Sequence, residues 1–352
     1  MSTQTPADAT SNALQSLYAQ SPMPLTNLMA GYYLPHLLYL MARLRIADLL
    51  AKEPMSADKL AAATGTNPDV LARMLHALAG FGIFTEDESG NFGLSAVGQG
   101  LRTDAPNSEW EWVLLYGGLF REAWHGLEQS LLSGGPAFDS LFGADFYSYL
   151  DAHPEQAQLV NRGLTRTAFA ELAGLPVAYD FSTAHTVVDL GGGYGAVLSM
   201  ILQAHPQLQG ILVERGEAVS GAKVTLAAAQ VADRCRIQEG DIFTDLPKDG
   251  DVYLLCRAML NWDDATCAAF LAHCARNLPA QATLLIVDAI LPDGPLAAGS
   301  AVWDLFLLAL FGAKARTGSD FLALVEQAGL TPVDFERLSP QFSLLVCRPP
   351  KP

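Results

Sequence analysis

Seven consecutive residues, Asp189-Leu190-Gly191-Gly192-Gly193-Tyr194-Gly195, hold the densest chemical signal in this chain. Thr186–Leu190 reads as a short buried strand and a helix is expected over Ala196–Ala204, so the glycines fall at a strand-to-helix turn. Glycine there lets the main chain adopt φ > 0 and approach a ligand that any side chain would obstruct. Such a turn alone also serves dinucleotide sites, or closes a strand with no ligand.

Three further features share one position in the expected fold. Glu214 ends the second strand, about twenty residues after the glycines, where a carboxylate can hold both hydroxyls of a ribose. Gly240-Asp241-Ile242-Phe243 follows the third strand; its acid can accept from an adenine amino group while Ile242 covers the ring face. Cys256-Arg257 follows the fourth. All lie at the carboxyl ends of consecutive strands, where open α/β sheets bind ligands. Glu214 or Asp241 alone would read as a solvated loop acid; the set does not.

The elements that position these residues alternate. Strands are expected at Gly210–Glu214, Cys235–Glu239, Asp251–Leu255 and Thr283–Asp288, with helices at Asp264–Leu278 and Asp320–Ala328. Thr331–Phe335 and Phe342–Cys347 suit a closing antiparallel pair, and the whole describes a doubly wound sheet. Upstream, apolar residues recur at helical spacing over Leu25–Leu50, with a break expected at Pro35. Ser56 caps a helix through Ala63 that Gly65 stops, and Asn67 with Pro68 starts another through Leu78. Ile83–Thr85 and Phe92–Leu94 read as a β-hairpin. That order is winged-helix-like. The segment 108–180 reads as helical, with an aromatic stripe that suits core more often than pocket.

Composition narrows the partners. The 352 residues suggest two domains, and 50% hydrophobic against 16% charged describes a well-buried globular protein. A net charge of −16 repels phosphate backbones and anionic lipid, so no nucleic acid and no membrane partner is expected. The second helix of the winged-helix pair offers only Arg73 and His76 as basic residues, too few for DNA recognition. Packing or dimerisation is the better reading of that domain, because Leu25–Leu50 is more apolar than solvent-facing helices should be. The apolar windows Leu37–Leu50 and Val302–Phe311 are too short or too interrupted to span a bilayer. Five cysteines without C-x-x-C spacing and seven scattered histidines suggest reduced thiols, a cytoplasmic location and no metal.

The series Val188–Gly193, Gly240–Phe243, Asn261–Asp264 and Leu285–Asp288 through Leu291-Pro292 resembles the plant-type (caffeate/hydroxyindole-like) O-methyltransferase family and its bacterial natural-product branch. Leu28–Tyr32 with Ala42–Leu50 looks like that family's dimerisation helices, and Gly134, Ala137-Phe138 and Phe142-Gly143 resemble its middle signature. The resemblance covers nearly the whole chain from about Leu25. It implies an α/β fold: a Rossmann-like S-adenosylmethionine (SAM)-dependent methyltransferase domain, preceded by a mainly helical winged-helix-like dimerisation domain. The expected division is a flexible lead at 1–22, a dimerisation domain at 23–107, a helical connector lining the substrate cleft at 108–180, and the SAM-binding domain at 181–352. It implies a homodimer, a small-molecule acceptor, and cofactor contacts from Asp189, Gly191, Gly192, Gly193, Gly195, Glu214, Asp241, Ile242, Cys256 and Arg257.

One departure stands out. The family places a general-base histidine two residues before the tryptophan of its W-x-D segment, and here that residue is Leu260. The supporting carboxylates fall at Asp288 and Ala315, so the base and one of two partners are gone. His-based catalysis, often worth ~10²–10⁴-fold, is unavailable there. His125 beside Trp124 and Asp304 after Trp303 are candidates for a relocated base, although each also reads as an ordinary structural residue. The expected activity is methyl transfer to an oxygen or nitrogen of a small aromatic acceptor by proximity, in a pocket lined by Trp303, Phe306 and Phe311. The alternative is a SAM-binding relative that performs hydroxylation, decarboxylation or pericyclic chemistry, as some of that branch do. A non-enzymatic regulator using the winged-helix part fits the acidic balance poorly.

Overall fold

The break expected at Pro35 is present: Leu25 and Met29 are helical, Gly31 and Tyr32 form a turn, and a new helix follows. The chain is helical over Tyr33–Arg43, and Pro35 sits in the first turn, where a backbone N–H has no intrahelical acceptor to lose. The run turns again at Arg45, whose φ of +55° is left-handed, before a further helix over Ile46–Leu50. The Arg45 side chain donates to Asp48 at 2.8 Å and to Thr103 at 2.9 Å, offsetting that strain. In this computed structural model the described residues are Leu25, Met29, 31–295 and 297–350. The lead read at 1–22 lies outside the described residues.

The chain divides into two units, Met1–Arg121 and Glu122–Pro352. In the first, Ser56 Oγ accepts from Lys59 N and caps the helix Ala57–Thr64, which ends at Gly65 with φ of +69°. Asn67 caps the next, Pro68–Gly80. Strands β1 (Met55–Ser56), β2 (Phe84–Glu86) and β3 (Asn91–Leu94) form an antiparallel sheet in the order β1-β3-β2. The expected hairpin is present, while β1 was not legible because two residues carry no periodicity. Leu60, Leu71, Leu75, Leu78, Phe84 and Phe92 form the core beneath it. On the second helix His76 pairs with Glu86 at 2.8 Å, which takes one of its two basic groups toward the hairpin's own acid.

The second unit opens with helices at Leu127–Ser133, Ala137–Phe142, Phe146–Ala152 and Pro154–Glu171. Its sheet comprises β4 (Thr186–Leu190), β5 (Gln209–Glu214), β6 (Cys235–Glu239), β7 (Val252–Cys256) and β8 (Thr283–Asp288). The short strands β9 (Ile290–Leu291) and β10 (Arg316–Thr317) pair in parallel, and β11 (Thr331–Arg337) with β12 (Ser343–Arg348) completes the main sheet. The order is β11-β12-β8-β7-β4-β5-β6, with β12 antiparallel to both of its neighbours, β11 and β8, and the other pairs parallel. Alternate strand residues bury against helices on both faces: Leu198, Leu202 and Leu226 pack on one, Phe270, Leu271 and Phe321 on the other. The chain runs β4, β5, β6 outward and then crosses back to β7, so the crevice between β4 and β7 is the topological switch point.

Two elements escaped the sequence reading. Ala298–Phe311 is a helix, apolar around most of its surface and without a side-chain cap, so periodicity and capping were both silent. Arg316 is buried to 2% exposure. Its Nε donates to Asp264 at 2.9 Å, Nη1 to the Met259 carbonyl at 2.9 Å and Nη2 to the Trp262 carbonyl at 2.7 Å. The guanidinium therefore fixes the turn Met259–Trp262, which carries position 260. No helix among the described residues is long and apolar enough to cross a membrane.

Removing that fork strands two carbonyls and a carboxylate. Arg316→Met is expected to cost ~3 kcal/mol in urea unfolding, and Arg316→Lys to recover little of it, since one ammonium cannot span the three acceptors. A loss under about 1 kcal/mol would contradict this role.

Candidate active site

The glycine turn is built by alternation of handedness. Gly191, Gly193 and Gly195 have φ of +69°, +58° and +72°. At Gly192 space is the constraint: a Cβ would overlap the Asp189 carboxylate and come within 2.7 Å of Leu212 Cδ1. Tyr194 anchors the turn sideways, its hydroxyl donating to Glu217 at 2.8 Å and its ring lying where any side chain on Gly221 would be.

Glu214, at the end of β5, reaches this turn. Its Oε2 accepts from Gly193 N at 2.8 Å and its Oε1 from Arg215 N at 2.9 Å. Each oxygen keeps a second lone pair for a ligand hydroxyl. Burial raises the Glu214 carboxyl above its ordinary range, and the two N–H donors oppose that shift. On the other flank, Ile242 Cδ1 lies 3.6 Å from the Cβ position of Gly191, so the Ile242 side chain and the bare turn face each other. Asp241 is exposed; its Oδ1 accepts from Phe243 N at 2.9 Å and shapes the loop after β6.

At this site Asp189 and Arg257 both carry buried polar atoms without a hydrogen-bond partner. Asp189 is 0% exposed, and both of its carboxylate oxygens are buried without a hydrogen-bond partner. Burial raises its carboxyl to about 7, with the Glu214 charge adding to the shift and Arg257 opposing it. Arg257 follows β7 with φ of +55°. Its N–H donates to the Val287 carbonyl at 2.7 Å, while Nε and Nη1 are buried with no partner. Burial pushes the Cys256 thiol up to about 12, so it is a neutral group at physiological pH.

Around position 260 the structure is self-contained. Asp288 accepts from Leu260 N at 3.2 Å and from Ala289 N at 2.8 Å, so the carboxylate that would orient a histidine is engaged by main chain. Burial raises it to about 6. Next to Leu260, Asn261 Nδ2 donates to the Tyr147 hydroxyl at 2.7 Å and to the Arg257 carbonyl at 3.1 Å. Asp145 caps the helix that carries Tyr147, and Phe311 stacks on the Tyr147 ring at 6.4 Å. Sequence reading missed this pair: Tyr147 lay inside an aromatic stripe, 114 residues from its partner. Of the candidate bases, Asp304 accepts from Ala315 N through Oδ1 at 2.6 Å, tying the end of its helix, and His125 is exposed. Trp303 and Phe306 share the half-buried side of that helix with Phe311.

Two family models match: an O-methyltransferase domain over residues 124–331 and an O-methyltransferase dimerisation domain over residues 26–104. The chain belongs to the O-methyltransferase family. It is similar to phenazine O-methyltransferase PhzM of Lysobacter antibioticus, at 36% identity over 91% of this chain and 93% of that one. O-demethylpuromycin-O-methyltransferase of Streptomyces alboniger is 38% identical over 85% of this chain and 81% of its own. Among solved structures, the O-methyltransferase NcsB1 from neocarzinostatin biosynthesis, in complex with SAM and 2-hydroxy-5-methyl naphthoic acid, superposes with a TM-score of 0.79. It is 28% identical and covers 90% of this chain and 95% of that one.

In this O-methyltransferase the glycine turn therefore closes over a carboxylic acid that ionises near neutrality. The folded pKa of Asp189 lies above its unfolded value, so the folded state holds a proton that the unfolded state releases. Stability contributed in this way is fully present at low pH and is lost as pH rises from about 4 to about 7. Asp189→Asn, which mimics the neutral acid, should raise the melting temperature of the ligand-free protein at pH 8 and do so much less at pH 5. A variant equally stabilising at both pH values would show that Asp189 ionises normally.

Proposed function

We propose that the chain is a SAM-dependent methyltransferase acting on the oxygen or nitrogen of an aromatic natural-product acceptor, by proximity and orientation and without the histidine base. One observation carries the mechanism: position 260 is leucine, and Asp288, the carboxylate that would serve a base there, is engaged by the N–H groups of Leu260 and Ala289. The enzyme functions as a homodimer through the domain at 26–104.

The residues present fit the cofactor. Gly192 has no room for a side chain, the Asp189 oxygens have no partner, and Glu214 is oriented by two main-chain donors. In this reading Gly191, Gly192, Gly193 and Gly195 receive the amino-acid arm against bare main chain. Glu214 holds the ribose hydroxyls, Ile242 and Asp241 flank the adenine, and Asp189, Cys256 and Arg257 line the floor. The bound group supplies a methyl on a sulfonium, an electrophile that needs no further activation. What the chain adds is alignment, which can supply ~7–11 kcal/mol. Trp303, Phe306, Phe311 and Tyr147 offer flat apolar faces to an aromatic acceptor. The Tyr147 hydroxyl, already accepting from Asn261, keeps its own proton to donate to an acceptor oxygen and so fixes the ring's rotation. NcsB1, with its naphthoic acid, and PhzM, named for phenazine, support the aromatic class.

A reaction without an enzymic base takes its pH dependence from the acceptor. With saturating cofactor, a series of phenols of graded acidity should give rate profiles that break at each phenol's own pKa. A common break shared by all acceptors, or a loss of ~10²–10⁴-fold in kcat on His125→Ala or Asp304→Asn, would restore a protein base. Product that forms without consumption of SAM would overturn the assignment of methyl transfer itself.

A further inference from the structure

We propose that Arg257 is a carboxylate receptor: its buried guanidinium receives an acid group of a bound small molecule at the edge of β7, and so helps to decide which ligands the site accepts. The inference rests on the functional reading above but concerns a residue to which that reading gives only a place on the floor.

Three observations converge. Nε and Nη1 of Arg257 are shielded from water and bond to nothing in the protein. A guanidinium cannot shed its proton, so the cost of burial has to be met by an anion or an acceptor. The backbone there takes a strained left-handed φ of +55°, a conformation pinned by the bond from Arg257 N to Val287 O at 2.7 Å and by Asn261 Nδ2 on the Arg257 carbonyl at 3.1 Å. Structure around the residue thus holds an uncommon main-chain geometry that fixes where the side chain starts.

Nor does the protein's own acid satisfy it. Asp189 lies near enough to feel the Arg257 charge, yet its two oxygens are as unpartnered as Nε and Nη1 of the guanidinium. With Asp189 raised toward its neutral form, the Arg257 charge is left without a protein counter-ion in hydrogen-bond contact. Arg257 stands between the glycine turn on one side and Tyr147, through Asn261, on the other. The two unpartnered N–H donors, Nε and Nη1, can each give a charge-assisted hydrogen bond to a carboxylate oxygen. That carboxylate has two available sources: the amino-acid end of the cofactor, or an acid group on the aromatic acceptor.

Calorimetry on the purified full chain separates them. The probes are S-adenosylhomocysteine; methylthioadenosine, which keeps the nucleoside and lacks the amino-acid end; and 1-naphthoate paired with 1-naphthamide, titrated in the presence of S-adenosylhomocysteine. Arg257→Met, with Arg257→Lys as the charge-keeping control, should bind at least one carboxylate probe roughly tenfold to a hundredfold more weakly than the parent protein. Its matched neutral probe should be unaffected, and the lysine variant should fall between. Weakening confined to S-adenosylhomocysteine assigns the cofactor's carboxylate; weakening confined to 1-naphthoate assigns the acceptor's. Retained methylthioadenosine binding shows that the variant is folded. If the methionine variant binds S-adenosylhomocysteine as the parent does, and 1-naphthoate no differently from 1-naphthamide, the inference is wrong while the cofactor site stands. A parent protein that binds neither nucleoside would instead sink the functional reading.

Discussion

The Asp189 carboxylate, buried without a partner at the end of β4, is the constraint around which the site is arranged. Because it fills the space where a Cβ at position 192 would go, the turn above it has to be glycine. Because the turn is bare, its main chain is open to a ligand. Because the acid lacks a donor, the ligand-free site favours the neutral form and gains from any cation brought to it. A sulfonium nucleoside with an α-amino group answers each of these conditions.

From that point the sheet supplies the rest by topology. Parallel pairing of β4 with β5 brings Glu214 level with the turn, where it takes the Gly193 N–H. Pairing of β4 with β7 places Cys256 and Arg257 on the opposite side of the same crevice. The Arg316 fork secures the turn beyond β7, and that turn presents Asn261 to Tyr147. Asn261 thus ties the residue after β7 to Tyr147 through its two donated bonds, without any histidine.

The sequence was most informative where the chemistry is local. The strand-turn-helix around the glycines, the caps at Ser56 and Asn67, and the closing antiparallel pair are each written in a few adjacent residues, and each is present. It also anticipated the break at Pro35, which stands in the first turn of the helix that follows the turn at Gly31 and Tyr32. It was silent on the helix Ala298–Phe311, whose uniform apolarity carries no period, and on the Asn261–Tyr147 bond, which joins residues 114 apart. The orphaned state of Arg257 was equally hidden, since burial without a partner is a property of packing and not of residue type.

The most direct measurement is a crystal structure of the chain grown with S-adenosylhomocysteine. The account predicts density for the nucleoside along Gly191–Gly195, with the ribose hydroxyls on Glu214 and the purine against Ile242. Density for that molecule elsewhere on the protein, or a turn that stays empty at saturating concentration, would contradict it.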